Sequence, residues 1–136
     1  MALPNGAGGY QVGDGNLNEL TLGYAAAPQT ATTTATLTAA QITGGMLVAN
    51  PGSGSAATYT LPTAASVDAI VSSAKVGSTF DLNIINIGTS SGTATLALGT
   101  GFTDGGNALT AVAVTASALF RFRKTGDAAY TVYKVA

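Results

Sequence analysis

The stretch ALFRFRKTGDAAYTVYKV, residues 118–135, carries the strongest fold signal in this chain. Phe120 and Phe122 alternate with Arg121 and Arg123, which is the period of a strand with one apolar face and one wet face. Thr125-Gly126-Asp127 supplies turn chemistry. A second run, Ala129–Val135, follows at once, so the pair reads as a β-hairpin. Arg121, Arg123, Lys124 and Lys134 then lie on a shared outer face as a local basic patch. It reads first as a solvated sheet face that deters edge pairing; the functional reading is contact with acids of a partner surface or of a neighbouring subunit, such as Asp81.

Working outward from the hairpin, short β-like runs recur about every ten residues. Thr79–Ile87 places Phe80, Leu82 and Ile84 on one face and Asp81 and Asn83 on the other. The alternation breaks at Ile85, which suggests a bulge or burial on both faces. Thr93–Leu98 and Leu109–Thr115 read as strands, with Asp104-Gly105-Gly106-Asn107 as a turn between them. Upstream, Gln41–Ala49 reads as a strand ended by Pro51-Gly52-Ser53-Gly54, and Ala57–Leu61 as one stopped by Pro62. Between these, Val67, Ile70, Val71 and Ala74 fall at helical spacing. Thr63 or Ser66 suits the cap, Lys75 the C-terminal end and Gly77 the stop.

These elements predict a mainly β fold: an antiparallel β-sandwich or barrel, jelly-roll-like, with one short helix and an extended N-terminal arm. The expected core is Leu47, Leu61, Ile70, Phe80, Leu82, Ile84, Leu96, Leu98, Val112, Val114, Phe120, Phe122 and Val132. That core is thin for a body spanning residues 39–136. Thin cores are commonly supplemented by self-association, so a homo-oligomer is expected.

Residues 1–38 read differently. Glycines at 6, 8, 9, 13, 15 and 23 are interspersed with isolated apolar anchors: Leu3, Tyr10, Val12, Leu17, Leu20, Leu22 and Tyr24. No single period persists through them. The stretch is expected to be an arm that docks on another surface, with those anchors and Arg121 and Arg123 as the contact residues. Residues 30–38, TATTTATLT, read as a Thr-rich spacer able to form an edge strand.

Composition narrows the function. Charged residues make up only 8% of the 136-residue chain and the net charge is −1. Five basic residues against six acidic ones are too few for tight binding to phosphates, so no nucleic-acid partner is expected. No apolar run is long enough for a membrane span, and MALPNGAGGY lacks the basic and apolar regions of a secretory signal. Synthesis in a host cytoplasm is expected.

Chemistry is equally sparse. Cysteine and histidine are both absent, which removes thiolate metal sites and the commonest general base. Gly52-Ser53-Gly54-Ser55-Ala56-Ala57 formally matches a dinucleotide-binding pattern, but a strand follows it instead of the required helix. Of the six acids, Asp14 and Glu19 lie in the arm, Asp104 and Asp127 in turns, and Asp68 on the polar side of the helix. Asp81 alone falls on a strand. No carboxylate pair for hydrolysis and no calcium loop emerges. The expectation is no enzyme, no cofactor and no metal.

The runs TATLTAAQITGGMLVANPGSGSAATYTLPTAASVDAIVSSAKVGSTFDLNIINIG and TATLALGTGFT, with the closing LFRFRKTGDAAYTVYKV, resemble small capsid-associated proteins of tailed bacteriophages. Decoration (cement) and head-fibre proteins are similarly rich in Thr, Ala and Gly, poor in charge and free of cysteine. The resemblance spans about residues 35–136. It implies a virion protein on the capsid exterior: a homotrimer at three-fold or quasi-three-fold positions, with its arm laid across the major capsid protein. The alternative it leaves open is a receptor- or glycan-binding module of a head or tail fibre, using loops such as 99–108.

Overall fold

The computed structural model describes residues 22–136. Residues 22–28 have no regular structure and are exposed throughout. Eleven elements follow. They are β1 (Gln29–Ala31), β2 (Ala35–Thr36), α1 (Ala39–Thr43), β3 (Met46–Ala49), β4 (Ala57–Thr60), α2 (Ala64–Ile70), β5 (Thr79–Asn86), β6 (Ala94–Ala97), β7 (Phe102–Gly106), β8 (Ser117–Gly126) and β9 (Ala129–Lys134).

The fold is mainly β, in two sheets, as the sequence implies. The six-stranded sheet has the order β1-β3-β5-β8-β9-β7, and the three-stranded sheet the order β2-β4-β6. The pairing is mixed, where uniform antiparallel pairing was expected. β1, β3 and β5 run parallel to one another, as do β2, β4 and β6. Only the β5–β8 and β8–β9 pairs are antiparallel, and β7 runs parallel to β9.

The chain thus alternates between sheets three times, laying down stacked coils: β1–β2, β3–β4 and β5–β6. Leu47 sits beside Ile84 and Ala57 beside Ala94, so both sheets repeat with the same offset of 37 residues between the second and third coils. A coil cannot bury its apolar side chains alone and relies on its neighbours to do so.

The connections repeat too. Thr36-Leu37-Thr38-Ala39-Ala40-Gln41-Ile42 and Thr60-Leu61-Pro62-Thr63-Ala64-Ala65-Ser66-Val67 each carry a buried Leu, a capping Thr, two Ala and a buried β-branched residue. Each leads into a short helix, and the two helices pack together. The helix α1 replaces the first half of the strand expected over residues 41–49. The Thr38 side chain accepts from the Gln41 amide at 3.2 Å, and the Gln41 side chain accepts from the Thr38 amide at 2.8 Å. This reciprocal box satisfies donors that a helix start leaves orphaned. Gly45, at φ +88°, then turns the chain into β3.

The third coil omits the helix. Thr100 O accepts from the Ala64 amide at 2.9 Å, and the chain turns directly into β7. A Cβ at Gly99 would lie 2.2 Å from Leu61 O. At Gly101, φ is +88° and a Cβ would lie 2.4 Å from Ala128 O. Both positions therefore require glycine.

Other expectations are corrected. The helix α2 ends at Ile70, so Val71 and Ala74 lie beyond it and Gly77 does not end it. Ile70 is 51% exposed, outside the core, because so short a helix buries only Ala64 and Val67. Leu109–Thr115 forms no strand; Val112 makes a lone bridge with Ala94 that covers the edge of β6, and Val114 is only half-buried. Residues 102–106, read as loop and turn, form β7. The Thr-rich stretch supplies the edge strands β1 and β2, with Ala31 and Leu37 buried.

Between the sheets lie Leu37, Ile42, Leu47, Tyr59, Leu61, Val67, Leu82, Ile84, Leu96, Phe120, Phe122 and Val132, all nearly inaccessible. The Tyr59 hydroxyl donates to Thr32 O. Asn86 is buried as well. Its Nδ2 donates to Gly92 O at 2.9 Å, Val112 O at 3.0 Å and Ala113 O at 3.1 Å, while its Oδ1 accepts from the Gly88 amide at 2.8 Å. This explains the broken alternation at Ile85. There is no bulge in the β5–β8 register; the inward slot after Ile84 is filled by a polar residue. An Asn86→Leu variant strands those backbone groups and should lose about 2–3 kcal/mol. Urea titration monitored by circular dichroism checks this, with Gly23→Ala as a control, since no atom lies within 4 Å of a Cβ there.

Candidate functional site

The densest group of polar side chains centres on Asp68, which α2 presents toward the β8–β9 hairpin. Its Oδ1 accepts from Lys124 Nζ and from the Tyr130 hydroxyl, both at 2.5 Å. Its Oδ2 accepts from the Ala128 amide at 2.7 Å. Lys124 was expected on the wet face of the hairpin. It sits instead on the inward face with Phe120 and Phe122, and is 6% exposed. The reason is Asp68: a buried ammonium is tolerated where a carboxylate receives it. Lys124 Nζ also lies 5.4 Å from the centre of the Tyr130 ring.

The electrostatics follow. Hydrogen bonds from Lys124, Tyr130 and the Ala128 amide hold the Asp68 carboxyl down at about 2. Burial, then the hydrogen bond that its hydroxyl donates to the Asp68 carboxylate, raises Tyr130 far above the usual phenol range. Near neutral pH Asp68 is a carboxylate with little basicity and Tyr130 a fixed donor. Both oxygens of Asp68 are occupied by groups of the chain itself.

Beside this cluster lies an open cleft of about 400 Å³, bounded by Ile70, Val71, Ser73, Ala74, Ser78 and Thr79, with Phe80 and Tyr130 as its inner wall. Phe80 stacks on Phe122 at 4.8 Å, and Phe102 meets Phe122 at 5.9 Å and Tyr130 at 5.7 Å. Of the aromatics that a glycan-binding module could stack on a sugar, Tyr59, Phe102 and Tyr130 are buried in the body and Tyr133 is half-buried.

The basic patch is thus divided. Arg121 is on the outer face, where Nε and Nη2 reach Asp81 Oδ1 and Oδ2 at 2.8 and 2.9 Å. That acid belongs to the same chain, on the neighbouring strand β5. The contact lowers Asp81 and raises Arg121 from their ordinary values. Arg123 is on the same face, with no carboxylate partner among the described residues. Lys134 Nζ donates to Thr110 Oγ1 and Ala111 O.

Of the arm anchors, Leu22 and Tyr24 are 81% and 96% exposed. Leu3, Tyr10, Val12, Leu17 and Leu20 lie outside the described residues. Among the described residues there is no group of three or more acidic or other metal-ligating side chains, and no helix long and apolar enough to cross a membrane. The Asp68–Lys124–Tyr130 cluster had no signal at the sequence level beyond an Asp on a helix and a Lys that breaks the alternation of the closing strand. No family model, curated protein or solved structure matches this chain.

The Asp68 carboxyl has a lower affinity for protons in the folded chain than in the unfolded one, where about 3.9 is usual. Its contribution to stability is therefore complete above that value and is lost as pH falls through it toward about 2. Asp68→Asn should be less stable than the parent at neutral pH, and the gap should narrow below about pH 4. Denaturant midpoints measured from about pH 7 to 2 check this; a constant gap would refute the assignment.

Proposed function

We propose that this chain is a non-enzymatic capsid decoration (cement) protein of a tailed bacteriophage. In this reading it binds the major capsid protein on the outside of the shell, as a homotrimer at three-fold or quasi-three-fold positions, and holds the shell through its N-terminal arm. The observation that carries the reading is the placement of the apolar anchors. Leu22 and Tyr24 stand almost fully exposed on a segment without regular structure, joined to the edge strand of a tightly stacked body. Large apolar side chains held in water at the end of a folded domain mark a contact surface.

The rest of the chain fits a structural part. Asp68, Lys124 and Asn86 spend their polar groups on one another and on the backbone. The glycan-binding alternative is less supported, because three of its aromatic candidates are buried. A protein that binds only the assembled lattice stabilises that lattice by mass action. Three arms on one trimer raise the avidity further through effective concentration.

Deleting residues 1–27 stops short of β1 and should leave the body folded, with an unchanged circular dichroism spectrum. The truncated protein should no longer co-sediment with capsids built from the shell protein of the same phage. Undiminished co-sedimentation would overturn the reading.

A further inference from the structure

The outer face of the six-stranded sheet is uncovered by any described residue, and its composition is graded. Alternate residues of β3, β5, β8 and β9 point away from the core, and the registers set them in rows. Val48 lies beside Ile85. Met46 lies beside Asn83, which lies beside Leu119, and Val135 donates its amide to Leu119 O. Asp81, Arg121 and Tyr133 form the next row, and Thr79, Arg123 and Thr131 the one after. Met46 is 37% and Val135 51% exposed, while Val48, Ile85, Leu119 and Tyr133 are half-buried. One end of the face therefore carries most of its apolar residues, interspersed with Thr30, Asn83 and Ser117, and the other is polar with Arg123.

The arm leaves the body level with the Met46–Asn83–Leu119 row. β1 runs parallel to β3 with Gln29 beside Leu47, so Pro28 falls level with Met46. From there residues 22–28 are all exposed, so the chain has not turned back over its own face by Leu22. Leu20, Leu22 and Tyr24 occupy every second position, the spacing that puts side chains on one side of an extended segment. Residues 1–28 carry Asp14 and Glu19 but no Lys or Arg, whereas the face carries Arg123 without a carboxylate partner among the described residues. The reach is sufficient: eleven extended residues from Leu17 to Pro28 span roughly 36 Å, and six strands are about 29 Å wide.

We propose that residues 16–24 of one copy lie across the outer sheet face of a neighbouring copy, through Leu20, Leu22 and Tyr24 on the Val48, Ile85, Leu119 and Val135 rows. This deepens the docking-arm reading and rests on it. The inner half of the arm joins copies to one another, and the outer half, with Leu3, Tyr10 and Val12, remains for the shell.

Three proteins test it by light scattering coupled to size-exclusion, each with parallel co-sedimentation on capsids. The full chain should run at a multiple of 13.3 kDa. Deletion of residues 1–12 should leave that mass intact and abolish capsid binding. Deletion of residues 1–24 should yield the single-chain mass. A fourth protein, Val48→Thr/Leu119→Thr, keeps the arm and alters only outward positions of the sheet; its self-association constant should weaken by about tenfold or more, with an unchanged circular dichroism spectrum. A single-chain mass for the full protein overturns the inference and points to the arm covering its own face. An unchanged oligomer after deletion of residues 1–24 also overturns it. A single-chain mass would also remove the homotrimer from the proposed function, whereas its capsid-docking part fails only if capsid binding survives loss of the arm.

Discussion

The strand β5 must pair in two modes at once, and the remainder of the fold is arranged around that constraint. On one side it accepts β3 in parallel, which continues the coil stack. On the other it takes β8 in antiparallel register from Thr79 to Ile85, which ends the stack. A parallel stack left open would present a row of unpaired amides and carbonyls to other chains. The β8–β9 hairpin closes that edge, and the inward residues Phe80, Leu82 and Ile84 meet Phe122, Phe120 and Ala118 across the junction.

Two polar groups hold this junction from its ends. Asn86, at the last position of β5, gathers the carbonyls of the 92 and 112–113 segments, so the corner of the third coil and the cover over β6 are fixed to one side chain. Asp68 does the corresponding work on the other side of the body. It ties the helix of the second coil to Lys124, Tyr130 and the Ala128 amide of the closing hairpin. A carboxylate with three donors and a Lys almost removed from water is costly to break by halves. These groups fix how the coil stack and the hairpin meet.

That division frames the functional reading. The polar groups of Asp68, Lys124 and Asn86 are satisfied internally, and exposed apolar groups include Leu22 and Tyr24 on the arm and Met46 on the outer sheet face. A chain with so few charges has little long-range steering. In the proposed reading its contacts would rest on apolar anchors and on avidity, which suits a part that is added to a larger assembly.

The sequence by itself determined the β-rich class, the closing hairpin and the inward face of the strands around it. Phe120, Phe122, Leu82, Ile84 and Val132 face inward as their alternation implies, because a one-residue shift would turn every one of them to water. Leu22 and Tyr24, expected as contact residues, are exposed. The helix α1 was legible as well, in the Thr38–Gln41 capping pair, but the apolar run after it favours a strand reading. What tertiary structure alone decided was the direction of pairing and the location of the polar centre. Parallel neighbours such as Ala57 and Ala94 are 37 residues apart, and nothing local to either residue records that distance. Asp68 meets Lys124 across 56 residues. Lys124 turns inward only because that carboxylate waits there, and a single strand read alone contains no such information.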